Sequence, residues 1–262
     1  MDLQIAGKKA LISGSSQGIG FAIAKTLAAE GAHVVINGRR EDKLAAAKQK
    51  ILTEHPQAHV ACFAGDLSNS DACNQLASEH PQIDILVNAL GIFEPKDFLD
   101  IPDEDWERFF NVNVLSGVRL SRAYLPYMQE KDWGRIIFIS SESAVQIPQE
   151  MIHYGTTKTA QLAVSRGLAE TCAGTGITVN AVLPGPTRSE GVVEFVDQIS
   201  GGQNFEEFEK EFFQSVRPSS LIKRFADVQE VANMVTYLCS PLASATTGSA
   251  IRVDGGVVKA CV

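Results

Sequence analysis

Apolar, β-branched runs alternate with helix-patterned segments along the first ninety or so residues, and few folds accept that rhythm. KALIS, HVVIN, HVACFAG and IDILVN read as short strands, while FAIAKTLAAEG, KLAAAKQKIL and DACNQLASE between them carry helical spacing. Strands that are apolar on both faces belong in a parallel sheet covered by helices, with right-handed crossovers. The pattern continues with a long helical stretch over 103–130, a strand over 135–140, a helix over 151–171, a strand over 177–183, a helix over 227–238 and a last strand over 249–253. The expectation is an α/β doubly wound parallel sheet of about seven strands, in one domain spanning 1–262. Residues 187–217 interrupt the rhythm with a Gly-, Phe- and Glu-rich insertion behind a strand's carboxyl end, the usual place of a lid.

Directly after the first strand comes SGSSQGIG, with Gly14, Gly18 and Gly20 opening the next helix. Glycines there allow a tight turn and close backbone approach to a pyrophosphate, whose charge sits among the unpaired N–H groups of the helix N-terminus. Ser13, Ser15 and Ser16 add hydroxyls. With a strand before it and a helix after it, the turn predicts a Rossmann-like dinucleotide site.

A second constellation lies in IIFISSESAVQIPQEMIHYGTTKTA. Tyr154 and Lys158 are four residues apart on a predicted helix and share one face. Ser141 follows the buried strand run 136–139, at the carboxyl end where open α/β sheets place ligands. A free phenol, with a pKa of about 10, is a poor acid or base at neutral pH, and a neighbouring ammonium favours its ionised form. The spacing predicts a Tyr154 pKa drawn down by Lys158, with the Ser141 hydroxyl holding a substrate oxygen.

Composition narrows the partners. A net charge of -8 excludes an extended anion-binding surface for nucleic acid or membrane, so a small molecule is expected. Five scattered cysteines without a CxxC pair read as reduced thiols, with neither a disulfide framework nor a metal site. No secretory leader and no run of about 18 apolar residues is present, which fits a cytoplasmic protein.

Taken together, SGSSQGIG, Asp66 of GDL, Asn88 of VNALG, Asn113 of FNVNV, the Ser141, Tyr154 and Lys158 set, PGPT at 184–187 and DGG at 254–256 resemble the short-chain dehydrogenase/reductase family over essentially the whole chain. The resemblance implies a nicotinamide-dependent oxidoreductase acting on carbonyl or alcohol groups. It makes Tyr154 the general acid/base. Lys158 would tune it and hold the nicotinamide ribose, Ser141 would orient the substrate oxygen, and Asn113 would anchor a water in a relay toward Lys158. It also implies cofactor contacts from Gly14, Ser16, Gly18, Ile19, Gly20, Arg39, Leu67, Gly91, Pro184 and Gly185. Asp66 would take the adenine amino group, Asn88 would brace the sheet beside the cofactor, and Thr187 would bond the carboxamide. Two departures stand out: Ser13 replaces the usual Thr, and Asn88-Ala89-Leu90-Gly91 lacks the second Asn.

The position that carries an acid in NAD-binding sites is Gly38, followed by Arg39 and Arg40, whose guanidinium groups suit a 2′-phosphate. NADP is therefore expected, with NAD as the alternative because Gln17 stands where a basic residue is common in NADP-using relatives. Two other functions remain open. A 3-oxoacyl-thioester reductase would dock an acidic carrier on Arg119, Arg122 or Arg166; a non-catalytic NADP sensor would have no use for the full Asn, Ser, Tyr and Lys set. In the insertion, Phe205, Phe208 and Phe212 form an amphipathic stripe expected to pack the lid onto the body or a neighbour. His153 is expected to be structural. A homotetramer is expected, from the family resemblance and from an apolar tail over 249–262 that a neighbouring subunit would cover.

Overall fold

A computed structural model describes residues 2–199 and 204–261. Along the chain the elements are β1 (Lys9–Ile12), α1 (Gly18–Ala29), β2 (His33–Gly38), α2 (Glu41–Glu54), β3 (Val60–Ala64), α3 (Ser70–Glu79) and β4 (Ile85–Asn88). There follow α4 (Asp103–Phe110), α5 (Ser116–Glu130), β5 (Gly134–Ile139), α6 (Ile152–Thr171), β6 (Ile177–Pro184) and β7 (Thr187–Arg188). The chain continues through α7 (Glu190–Ile199), α8 (Phe205–Glu211), β8 (Ala226–Asp227), α9 (Val228–Leu238) and β9 (Ala250–Val253). Seven strands form one parallel sheet in the order β3-β2-β1-β4-β5-β6-β9, as expected of a doubly wound α/β fold.

Side-chain alternation along these strands feeds a core on each face of the sheet. Ala10, Ile12, Val34, Ile36, Ile85 and Val87 face a layer from α1, α2 and α9. Leu11, Val35, Leu86, Ile136 and Phe138 face a layer from α3, α5 and α6. Neither face meets water, which is why the strands read as unbroken apolar runs. The strand order reverses between β1 and β4, so the loops after these strands diverge and leave a crevice at their carboxyl ends.

One expectation needs correction. The helix predicted over 103–130 is split by one wider π turn at Asn111–Leu115. Such turns insert a residue into the helical ladder and often mark functional positions; this one contains Asn113. The 187–217 insertion is more ordered than a loop. It holds β7, α7, α8 and a π turn at Phe212–Val216, and β7 pairs with β8. Residues 200–203 of that insertion lie outside the described residues.

Candidate active site

The crevice at the reversal point is a cleft of about 770 Å³, running from the α1 turn, past Gly38 and Arg39, to the ends of β5 and β6. Its size is that of a small-molecule site. Among the expected site residues, Gly14, Ser16, Gly18, Ile19, Gly20, Arg39, Gly91, Ser141, Tyr154, Lys158, Pro184, Gly185 and Thr187 line it. Asp66, Leu67, Asn88 and Asn113 do not. Asp66 is exposed at the end of β3, where its carboxylate accepts from the Ser68 N–H at 3.0 Å; Leu67 is buried in the core below. Asn88 is buried behind the cleft wall and donates to Ser121 Oγ at 3.4 Å.

The α1 turn is tight because its glycines are needed where they stand. At Gly14 the backbone has φ +62°, and a Cβ would lie 2.9 Å from Leu90 Cα; at Gly20 it would lie 2.4 Å from Gly14 O. No larger residue fits either place. Asn37, at the end of β2, holds the turn by accepting from Gly14 N at 3.1 Å, while its amide donates to Phe63 O and Gly65 O. Ser13 Oγ accepts from the N–H groups of Ala89 and Leu90 at 3.0 and 3.1 Å. The Thr-to-Ser departure thus keeps the bond that ties β1 to the β4 loop. At the head of α1, Gly18 N–H donates at 2.8 Å to Glu190 Oε2 from the start of α7.

At the other end of the cleft, Lys158 is 4% exposed and donates from Nζ to Ile139 O at 2.9 Å. Burial pulls its pKa down to about 7. Its ammonium sits 5.6 Å over the Tyr154 ring. The predicted lowering of the Tyr154 pKa is not what these surroundings produce. Burial raises it, a hydrogen bond with Ser141 opposes that rise, and the Glu142 carboxylate adds to it. A cation whose own charge is disfavoured by burial does little to hold a phenolate beside it.

This predicts a stability effect with a definite sign. A folded-state pKa near 7, against an ordinary value of 10.5, means that the buried amine opposes folding most below pH 7, and that the penalty fades as pH rises toward 10.5. Lys158→Met is therefore expected to raise the melting temperature at neutral pH, with the gain shrinking steadily in alkaline buffer. Melting curves of wild type and variant that stay parallel from pH 6 to about pH 10 would contradict the burial account.

Ser141, at the end of β5, donates to Glu142 Oε2 at 2.6 Å and accepts from Ser143 N at 3.1 Å. Asn113 brackets the loop above: Oδ1 accepts from Ile92 N at 2.8 Å, and Nδ2 donates to Ile92 O and Thr157 Oγ1, each at 3.0 Å. Its backbone carbonyl accepts from the Gln161 amide. Thr187 donates to Gly185 O at 2.9 Å and is held in β7.

The insertion closes the cleft from above. Phe208 and Phe212 line it, and both also pack on Phe225, with ring centroids 6.4 and 5.0 Å away, so the aromatic stripe serves packing and lining together. His153 is buried 4.1 Å from the Phe109 ring, and burial lowers its pKa, in keeping with a structural role.

Four contributors escaped the sequence reading. Lys43 donates to Gln17 Oε1 at 3.2 Å and brings a cation to the glycine turn from α2; its place in the first turn after Arg39 and Arg40 was the available signal. Arg217 and Glu150 come from segments between the main elements and Glu190 from the head of α7, and no periodicity reveals that they meet the cleft.

A family model described as Enoyl-(Acyl carrier protein) reductase matches residues 14–258. The Uncharacterized oxidoreductase YvaG of Bacillus subtilis (strain 168) is 50% identical, over 99% of each chain. The 3-oxoacyl-(acyl-carrier-protein) reductase FabG of Aquifex aeolicus (strain VF5) is 32% identical, over 98% of this chain and 100% of its own. The crystal structure of L-sorbose reductase from Gluconobacter frateurii, complexed with NADPH and L-sorbose, superposes with a TM-score of 0.92 at 34% identity, covering 99% of this chain and 100% of that one. With likeness at this level along nearly its whole length, over this strand order and this Ser, Tyr and Lys wall, the chain belongs to the short-chain dehydrogenase/reductase family of oxidoreductases.

Proposed function

We propose that the chain is an NADPH-dependent reductase of small carbonyl compounds, with Tyr154 as the group that protonates the substrate oxygen. The single observation that carries this reading is the meeting of Tyr154, Ser141 and Lys158 with the glycine turn in one cleft. The residues suit a dinucleotide. The α1 turn offers backbone N–H groups where a Cβ would collide, and Arg39 offers a guanidinium with no ion pair among the described residues, whereas Arg40 is tied to Asp42. Solved relatives bound to NADPH or NADP support the phosphorylated cofactor.

When bound, the nicotinamide supplies the hydride. The protein supplies the proton and the positions. Burial raises the Tyr154 pKa, so the phenol carries its proton at neutral pH and can give it to a developing alkoxide. Ser141 sets the oxygen beside it. Lys158, anchored on Ile139 O, places its charge next to the Tyr154 ring, where it would hold the nicotinamide ribose. Asn113 fixes the Ile92 loop above Lys158; a relay water would share its carbonyl with Gln161.

The thioester-reductase alternative finds little support. Arg119 spends its guanidinium on Ser68 O and Asn111, and Arg166 is paired with Glu170, which leaves Arg122 alone among the three candidate docking cations. Turnover of a carbonyl panel, followed by nicotinamide absorbance, tests the proposal; tight NADPH binding without turnover on any carbonyl would favour the sensor instead.

Glu190 now has a consequence. It occupies the Gly18 N–H at the head of α1, where the cofactor's pyrophosphate is expected, so the two anions compete for one donor. Glu190→Ala is expected to tighten NADPH binding by about fivefold, the scale of one helix-terminus charge interaction. Calorimetric titration giving an unchanged or weaker affinity would show that Glu190 does not compete.

A homotetramer remains the proposed assembly. Part of the apolar tail needs no neighbour to cover it, because Val257 and Val258 are buried within the chain itself. The support is now β9, which among the described residues pairs with β6 alone and leaves its other edge open, a feature soluble proteins cover or pair. Light scattering should return about four times the 28.2 kDa chain mass, and a concentration-independent monomer would refute it. The five unpaired cysteines are in keeping with a cytoplasmic setting. Both cores lean on one sheet, which supports reading 1–262 as one domain.

A further inference from the structure

The wall of the cleft beside Ser141 carries charges that carbonyl reduction alone does not require. Glu142 is 4% exposed, and its Oε2 accepts from Ser141 Oγ at 2.6 Å, Ser143 N at 2.6 Å and Ser143 Oγ at 2.9 Å. Its Oε1 accepts from Arg217 Nε at 3.2 Å. Arg217, at the end of the insertion and 9% exposed, also donates from Nη1 to Glu150 Oε1 at 3.4 Å and to Val216 O at 3.1 Å. One guanidinium therefore serves two carboxylates, and all three groups line the cleft together with a third carboxylate, Glu211.

Two properties follow. The wall holds an excess of negative charge, which disfavours a substrate carboxylate or phosphate beside it. It is also rich in acceptors. Arg217 Nε and Nη1 are engaged by protein, while Glu150 Oε2 has no donor among the described residues. A ligand that satisfies this wall must bring hydrogen-bond donors without negative charge. Hydroxyl groups beside the reacting carbonyl do this, and an acyl chain does not.

We propose that Glu142 and Glu150, fixed by Arg217, are specificity-determining residues that select neutral, hydroxyl-bearing carbonyl compounds (hydroxyketones and the polyols they form) and reject keto acids. The proposal rests on the reductase reading of the cleft. It assigns Glu150 Oε2 to substrate hydroxyls, keeps Glu142 as the buried partner that holds Arg217, and leaves Tyr154 to the carbonyl oxygen.

The test measures kcat and KM with NADPH for three substrates of matched length: a polyhydroxylated ketone, the same ketone without hydroxyls, and the corresponding 2-keto acid. Wild type should prefer the hydroxylated ketone by at least about tenfold in kcat/KM, the scale of one or two hydrogen bonds to charged partners. Glu150→Ala should erode that preference several-fold through KM, with a smaller effect on kcat, and should raise keto-acid reduction. Glu142→Gln should do the same, but it leaves Arg217 short of a buried partner and risks the fold; the Glu150 side chain is 39% exposed, so Glu150→Ala carries the test by itself. Equal or better use of the unhydroxylated ketone by wild type overturns the proposal and leaves the reductase standing, as does an equal loss on all three substrates in Glu150→Ala. Absence of turnover with all three overturns both.

Discussion

Tyr154→Phe is expected to lower turnover by about 10² or more while NADPH affinity stays within a few-fold of wild type. The substitution removes one oxygen and keeps the ring, so the packing against Phe93, whose centroid lies 6.5 Å away in an edge-on arrangement, survives. What disappears is the proton for the alkoxide. Because burial raises the Tyr154 pKa, the wild-type phenol is already in the donating form at neutral pH, and no other hydroxyl in the cleft has the same place. Ser141 is the nearest candidate, yet its proton is engaged by Glu142 at 2.6 Å. Steady-state rates beside a cofactor titration check both halves; a variant that keeps most of the wild-type rate removes Tyr154 from the chemistry.

Arg39→Ala should weaken NADPH by about 10-fold to 10²-fold while changing NADH little, the range of a lost charge-assisted hydrogen bond of about 1.5–3 kcal/mol. The asymmetry between the two arginines makes the case. Arg40 is held by Asp42, with bonds of 3.0 and 2.5 Å, whereas Arg39 lines the cleft without an acidic partner among the described residues. Gln17, which argued for NAD in the sequence, takes a bond from Lys43 and so has a cation beside it after all. Affinities for the two cofactors, measured at one salt concentration, decide the point; equal losses for both would remove the 2′-phosphate contact.

Much of this was legible from residues close together in the chain. Strand runs apolar on both faces forced a covered parallel sheet. The glycine turn between β1 and α1 marked the crevice, and Tyr154 and Lys158 at one-turn spacing marked its far wall. The illegible parts have a common physical cause. The sign of the Tyr154 shift depends on how deeply the pair is buried, a property of the folded surroundings and not of the four-residue spacing. The π turn at Asn111–Leu115 is likewise a tertiary outcome: Asn113 is held by Ile92, Thr157 and Gln161, all distant in sequence. Glu142 directly follows Ser141 in the chain, but its partner Arg217 lies 75 residues away and nothing in the sequence links the two. Asp66 closes its own turn on the Ser68 N–H, a local bond that its place in the motif does not reveal.

Reduction at a carbonyl carbon with Tyr154 supplying the proton has its most pointed competitor in reduction of a conjugated double bond, the reaction named in the family model's description as an enoyl reductase. An α,β-unsaturated ketone offers both reactions to one enzyme. With NADPH deuterated at the transferable position of its nicotinamide ring, the present account predicts an unsaturated alcohol that carries one deuterium on the carbinol carbon, seen by mass spectrometry and NMR. A saturated ketone with deuterium on the β-carbon would contradict it.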